Sequence, residues 1–468
     1  MKQVIVIGAG AAGLMAGCAA CDAGAGVTVL EHNEKAGKKI YITGKGRCNY
    51  TNACENEDFF RNVLRNPKFL YSAVYSFDST AVTAFLNQNG CATKEERGKR
   101  CFPESDHAFD VTDAMVRHLK ARGAGIRFRT QVQEILINSE GGAVTGVQLA
   151  DGRTLSADAV ILAAGGMSYA STGSTGDGYH LAEKLGHTIQ PLRPSLVPLT
   201  TQETWPMELQ GLALRNVAVR LEPRDVAEVG GSDKEEPGGE KTARAEADAA
   251  LTGKNIKKGK RSSKKKKAAY EGFGELLFTH FGISGPLVLS ASCHADFDEH
   301  PHGYVLHLDL KPSMTQEELA AKLTREFSLA PKKELRNALK VLLPERMAEI
   351  AAELYAKAEK HPSAEGGAAR PVYTLNEREL LNLAGLLKDL QLHVTGTRGF
   401  QEAIVTRGGV STKEINPSTM ESRKVRGLYF AGEVMDVDAY TGGFNLQIAW
   451  STGHLAGESA AEMAADAR

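Results

Sequence analysis

The segment KQVIVIGAGAAG, residues 2–13, constrains the fold more than any other stretch of the chain. Its first six residues are rich in β-branched side chains and read as a buried strand. The Ala-rich run that follows, to about Ala23, reads as a helix. Between the two, Gly8, Gly10 and Gly13 stand at GxGxxG spacing. Gly8 permits a tight strand-to-helix turn, Gly10 lets backbone approach a pyrophosphate, and Gly13 lets the helix pack closely on the strand. The free N–H groups of the helix start, at Ala11 and Ala12, then face the phosphates. A second strand, VTVLE at 27–31, ends on Glu31, placed to accept hydrogen bonds from ribose hydroxyls. The opening is therefore a βαβ unit that suits NAD or FAD.

A chain of 468 residues is too long for one simple core, so two or three domains are expected. No apolar run reaches the roughly 18 residues needed to span a bilayer. The start enters a strand directly, without the basic and apolar pattern of a leader, which points to the cytoplasm. Seven cysteines (Cys18, Cys21, Cys48, Cys54, Cys91, Cys101 and Cys293) are scattered and odd in number, as for reduced thiols. Cys18 and Cys21 form a CxxC inside the predicted first helix and read as small buried residues.

Net charge is −1, yet the run KNIKKGKRSSKKKK at 254–267 holds nine cations and no anion, so the rest of the chain carries −1 − 9 = −10. Positive charge gathered in one segment suits a local anionic partner and excludes a protein coated in nucleic acid. Lys257, Lys258, Lys260, Arg261, Lys264, Lys265, Lys266 and Lys267 are the candidate RNA-binding cations. Their context, 223–269, is poor in apolar residues and reads as a mobile charged insertion.

Helical patterns are expected at 59–90 and 107–122. From Ile126 to Ala164 short strands read as a β-meander that ends in a buried apolar strand. Three prolines in PLRPSLVP, 191–198, mark a crossing into another domain. Strands are expected at 212–221, and helices over 315–390, where TQEE (Thr315–Glu318) has capping-box spacing. Strands return in EAIVTRGGV and in GLYFAGE, 427–433, and a last helix starts near Phe444. The fold class is α/β. A Rossmann-like dinucleotide-binding domain is expected from both chain ends, 1–192 and 396–468. An inserted domain at 193–395 is β-rich over 193–312 and helical over 313–395.

Two later segments favour FAD over NAD. VILAAGG (160–166) is a buried strand ending in small residues that let a dinucleotide pass close to backbone. GLYFAGEV (427–434) leads into TGGFNLQIAW, whose Gly-Gly at a helix start offers N–H groups to an anionic ring edge. With GKKIYITGKGRCNYTN (37–52), AAGGMSYASTGSTGDGYHLAEKLGH (163–187), GELLFTHFGISGP (274–286) and TRGGV (406–410), these segments resemble the BaiN/YhiN-type bacterial flavoproteins, the group of RdsA and aminoacetone oxidase. The resemblance runs through nearly the whole chain, except 223–269, where that family usually has a much shorter connection. It implies that Gly8, Gly10, Gly13 and Glu31 hold the ADP half of FAD. Lys39, Gly44, Arg47, Cys48 and Asn49 would line the flavin side, and Val132 would meet the adenine. Ala164 and Gly165 would flank the pyrophosphate or ribose, Gly432 and Glu433 would face the ribitol, and Gly443, Phe444 and Asn445 would cover the pyrimidine edge.

Reduction of an activated C=C needs a hydride from the flavin and a proton from the protein. Cys48 is the first candidate acid, with Arg47 beside it to lower its pKa; the other reading is a small residue packed under the flavin. His280, polar within an apolar strand, is the second. Arg407 suits a developing enolate, the reduced flavin or a phosphate. HADFDEHPH, 294–302, lacks a known ligand spacing and reads as a polar loop, so no metal is expected. No second GxGxxG unit is present, so NAD(P)H would visit the face that the substrate later uses. The family implies three enzymatic functions: reduction of uridine to dihydrouridine in large-subunit ribosomal RNA, reduction of an unsaturated bile-acid intermediate, and oxidation of an aminoketone by oxygen. A non-catalytic FAD-containing RNA-binding factor is the fourth alternative.

Overall fold

The structure, a computed structural model, describes residues 1–138, 142–224, 268–359 and 367–462. The cationic run at 254–267 lies outside these residues. The chain forms two compact units. One comprises Met1–Pro198, Val288–Cys293 and Thr397–Arg468; the other comprises Leu199–Leu287 and His294–Gly396.

The first unit is built on a five-stranded parallel sheet. Its strands are β1 (Gln3–Ile7), β2 (Gly26–Leu30), β3 (Gly125–Arg127), β4 (Ala159–Leu162) and β5 (Leu428–Phe430), in the spatial order β5-β4-β1-β2-β3. Val4 to Ile7 are all buried, as are Ala159 to Leu162 and Leu428 to Phe430. A strand covered on both faces reads as a continuous apolar run, as in a parallel sheet buried on both sides.

This corrects the reading of 126–164 as one meander. Three strands, Val132–Ile137, Val144–Leu149 and Thr154–Ser156, do form an antiparallel sheet. The segment at 125–127 pairs instead with β2, and the apolar run at 159–162 sits between β1 and β5. The period separates them: Val132–Ile137 mixes buried and exposed positions, whereas Ala159–Leu162 buries every residue. The stretch 59–90 is likewise shorter pieces rather than one helical run, with helices at Asn56–Arg61, Tyr71–Ser76 and Ser79–Gln88. Asn66 turns left-handed before Pro67, and Asp78 caps the last piece by accepting the Ala81 N–H at 2.9 Å.

Two helices cover one side of this sheet at unusually short range. Helix α1 (Ala11–Asp22) buries Ala12 through Cys21, Cys18 among them, and packs along α2 (Phe444–Glu462). A Cβ added at Gly453 would overlap the Ala12 carbonyl, one at Gly457 the Ala16 carbonyl, and one at Gly13 the Gly8 carbonyl. The close approach of the two helices thus needs the bare glycines of α2, Gly453 and Gly457, and it joins the two ends of the chain.

The second unit holds a closed barrel whose strands run in the order Leu199–Thr201, Gly282–Ser284, Tyr270–Thr279, Ala213–Pro223, Tyr304–Asp309 and Leu390–Thr397. Helices at Gln316–Ser328, Glu345–Ala358 and Glu377–Lys388 accompany it. The first begins on the capping box of Thr315 with Glu318, as the spacing predicts, and the third on a second box, Asn376 with Glu379. Among the described residues no helix is long and apolar enough to cross a membrane.

Gly453→Ala and Gly457→Ala are each expected to destabilise the protein by about 1–3 kcal/mol, because the added methyl meets backbone that cannot yield. Chemical denaturation followed by far-UV circular dichroism measures this; unchanged midpoints would contradict the helix contact.

Candidate functional site

A long cleft in the first unit opens where β1 meets α1. Gly8 sits at φ +101°, a backbone state natural to glycine, and a Cβ there would come within 2.6 Å of the Ala163 carbonyl oxygen. At Gly10, by contrast, a Cβ would find no atom within 4 Å, because this residue faces the open cleft. The first turn of α1 carries no acidic residue and no side-chain cap, so its N–H groups stay available to an anion. Gly8, Gly10, Ala11 and Ala12 all line the cleft; Gly13 serves the packing behind it.

Glu31 does more than the spacing suggests. It is 6% exposed, and its Oε2 accepts the Ala9 N–H at 2.8 Å. Its Oε1 accepts the Asn33 backbone N–H and the Asn33 Nδ2, each at 2.8 Å. The carboxylate therefore ties the Gly-rich turn to the end of β2 while still lining the cleft. Val132, Ala164 and Gly165 line it too, with Thr130 and Gln131 beside Val132.

A second charged contact closes part of the wall. Lys39 Nζ lies 2.7 Å from Glu433 Oε2 and donates to Ser168 Oγ at 2.6 Å. Glu433 Oε1 also accepts the Thr406 N–H at 2.8 Å and the Ser168 hydroxyl at 3.1 Å. Lys39 and Glu433, 394 positions apart in sequence, are thereby brought together. Ser168 and Thr406, the small polar residues that hold Glu433, were missed by the sequence reading although both stand inside quoted motifs. Asn445 lines the cleft and clamps the preceding loop: its Oδ1 accepts the Ala439 N–H at 3.0 Å and its Nδ2 donates to the Ala439 carbonyl at 2.8 Å.

These features fit a dinucleotide. They comprise a glycine cradle with one face open, a bare helix N-terminus for a pyrophosphate, an acid at the ribose position, and a polar wall built from both chain ends. Asn49 has a buried Oδ1 with no hydrogen-bond partner among the described residues, but it is not among the residues that line the cleft.

Other predicted residues of the first unit do not line the cleft. Gly44 adopts a left-handed turn, and Arg47 reaches away to Glu96 and Asp106 with its guanidinium 4.2 Å over the Phe102 ring. The expectation that Arg47 acidifies Cys48 is reversed. Cys48 is fully buried, and that burial pushes its thiol up to about 12. It behaves as the small packed residue of the alternative reading. Gly432 allows close passage, since a Cβ would lie 2.7 Å from the Ala12 methyl, and Gly443 packs against Thr51. Phe444 is buried against Phe59 at 5.9 Å between rings. Arg407, in the strand Val405–Val410, donates to the Cys293 carbonyl at 3.3 Å, while its neighbours Ile404 and Val405 line the cleft. His280 belongs to the second unit, in the turn before Gly282, with its ring 4.9 Å from that of Phe281.

Comparison with known proteins is consistent with this geometry. The family model for the HI0933-like protein Rossmann domain matches residues 2–459. A 3-dehydro-bile acid delta(4,6)-reductase from Clostridium scindens is 30% identical over 99% of this chain and 100% of its own length. A ribosomal RNA dihydrouridine synthase from Escherichia coli is 31% identical over 96% of each chain. Its counterpart from Haemophilus influenzae is 29% identical over 97% of each.

Because Cys48 stays a neutral, enclosed thiol well past neutrality, iodoacetamide at pH 8 should leave it unmodified in the native protein and label it after denaturation. Peptide mapping by mass spectrometry reads the outcome. Rapid native labelling of Cys48 would restore it as an exposed, reactive acid.

Proposed function

The chain belongs to the HI0933-like Rossmann family of FAD-dependent oxidoreductases, and from that premise we propose that it reduces a C=C bond conjugated to a carbonyl, most favourably the C5=C6 bond of a ribosomal RNA uridine. NAD(P)H is the proposed source of electrons. When bound, the flavin supplies the hydride.

The protein's own residues bind and orient. The Gly8–Gly13 turn and the start of α1 take the pyrophosphate, Glu31 takes a ribose while holding that turn, and the Lys39–Glu433 pair stiffens the wall between the segments from the two chain ends. Cys48 is not the proton source in this scheme, since a thiol pushed up to about 12 gives up its proton poorly at neutral pH.

The observation that carries the choice of substrate is the full-length similarity to a dihydrouridine synthase together with the nine-cation run at 254–267. A Lys-rich segment with almost no aromatic content attracts phosphates without reading bases, so it would tether RNA and leave selection to the site. The second reading is reduction of an unsaturated steroid ketone. It has equal support from the bile-acid reductase, because hydride addition to a conjugated dienone makes the same demand on the flavin and the proton. A cytoplasmic location goes with the RNA reading.

An anaerobic experiment separates the two. The bound flavin is reduced, then mixed with unmodified ribosomal RNA or with an unsaturated steroid ketone, and its absorbance is followed. Rapid reoxidation by RNA, with dihydrouridine formed, is expected. Reoxidation by the steroid alone would replace the first reading with the second, and reoxidation by oxygen alone would make the protein an oxidase. Deleting 254–267 should leave flavin content and NAD(P)H oxidation intact, weaken RNA binding and flatten its salt dependence. Unchanged RNA affinity at every salt concentration would refute the tether.

A further inference from the structure

Val405 and Val437 both line the cleft. Directly beside both lies a buried polar cluster. Asp438 follows Val437 and is 1% exposed. Its Oδ2 accepts the Ser195 hydroxyl at 3.1 Å, and Ser195 is the register partner of Val405. Its Oδ1 is buried with no hydrogen-bond partner among the described residues. The loop is firmly placed: the Asp438 carbonyl accepts the Leu64 N–H at 2.8 Å, and Asn445 clamps Ala439 from the cleft side.

The charged and titratable groups around this carboxyl come from several elements. Arg407 faces it from the strand that carries Val405, Arg65 from the segment after the Asn56–Arg61 helix, and Asp436 from its own loop. Cys293 Sγ lies 3.4 Å from Ser195 Oγ. Burial raises Asp438 to about 6, against the Ser195 hydrogen bond and the two guanidinium groups, which favour the charged form. Such a carboxyl responds to charge across a thin apolar wall: negative charge arriving in the cleft strengthens its hold on a proton.

We propose that Asp438 is the proton acceptor coupled to flavin reduction in this chain, with Ser195 holding one carboxylate oxygen while the other, Oδ1, takes the proton. Two electrons and one proton enter the ring from the dihydronicotinamide. The C–H bond of the dihydronicotinamide that gives this hydride breaks and leaves the oxidised nicotinamide, while a second proton leaves a solvent O–H and forms an O–H bond at Oδ1. The net charge of the region then stays constant. When the flavin gives up its electrons, Asp438 releases that proton. Because the carboxyl acts through the wall without touching the cleft, it is a positioning residue for charge. The proposal rests on the cleft holding a flavin and is indifferent to whether RNA or steroid is reduced.

The sign of the effect follows. Below about pH 6 the carboxyl is protonated whether or not the flavin is reduced, so reduction takes up no extra proton there. Above about pH 6, up to the higher pKa reached in the reduced protein, each two-electron reduction takes up one more. The midpoint potential of the holoprotein, measured by spectroelectrochemistry against pH, should therefore steepen in that window. The increment is tenfold in the equilibrium constant per pH unit, about 30 mV for a two-electron couple.

Asp438→Asn should lose this increment while the flavin stays bound. Ser195→Ala removes a hydrogen bond that favours the charged form, so it should move the onset to higher pH. Equal slopes in wild type and Asp438→Asn would overturn the proposal, as would an unmoved onset in Ser195→Ala. If Asp438→Asn does not retain flavin, Ser195→Ala alone decides. Failure of the substrate reading would appear only in the reoxidation experiment and would leave these slopes as they are.

Discussion

The close contact between α1 and α2 is the constraint on which the rest of the first unit depends. Helix α1 follows the Gly-rich turn at the start of the chain, and α2 follows the Gly442-Gly443 turn near its end. They meet at backbone distance because Gly453 and Gly457 present no side chain to the Ala12 and Ala16 carbonyls. Gly13 does the same toward the Gly8 carbonyl. Dispersion over so short a distance is strong. The consequence is functional. A cleft that begins at the N-terminal turn is completed by residues more than 400 positions later, Glu433 and Asn445 among them.

Charge inside the unit follows the same logic of pairing across sequence. Glu31 is buried, but three N–H groups satisfy it. The partly covered Lys39–Glu433 pair has Ser168 and Thr406 as further partners. Buried charge is tolerated when its remaining hydrogen-bonding capacity is met. Asp438 departs from this rule, since one of its oxygens is enclosed with no hydrogen-bond partner among the described residues.

Much of the site was legible in the order of residues. GAGAAG after a strand, Glu31 at the end of the next strand, and VILAAGG carry their roles in backbone geometry that is local to each motif. The flanking parts of the quoted motifs were less legible. GKGRCN reads as a flavin-side loop, yet Arg47 finds Glu96 and Asp106 on a neighbouring hairpin, and Cys48 is turned inward. The local adjacency of Arg47 and Cys48 suggested an activated thiol. Burial of the thiol decided otherwise, while two carboxylates distant in sequence took the guanidinium. Ser195 and Asp438 were invisible as a pair because nothing in either segment announces the other.

The sequence by itself determined the βαβ opening, the glycine positions that a dinucleotide needs, the capping box of Thr315 with Glu318, and the concentration of positive charge at 254–267. Each of these depends on neighbours a few residues apart, where chain connectivity already sets the geometry. Only the tertiary structure decided which apolar runs join the parallel sheet, where Arg47 spends its charge, that Lys39 meets Glu433, and that Asp438 is sealed beside the cleft wall. Those outcomes depend on which distant surfaces exclude water from one another. A side chain's pKa and partners are set by that exclusion, not by its place in the chain.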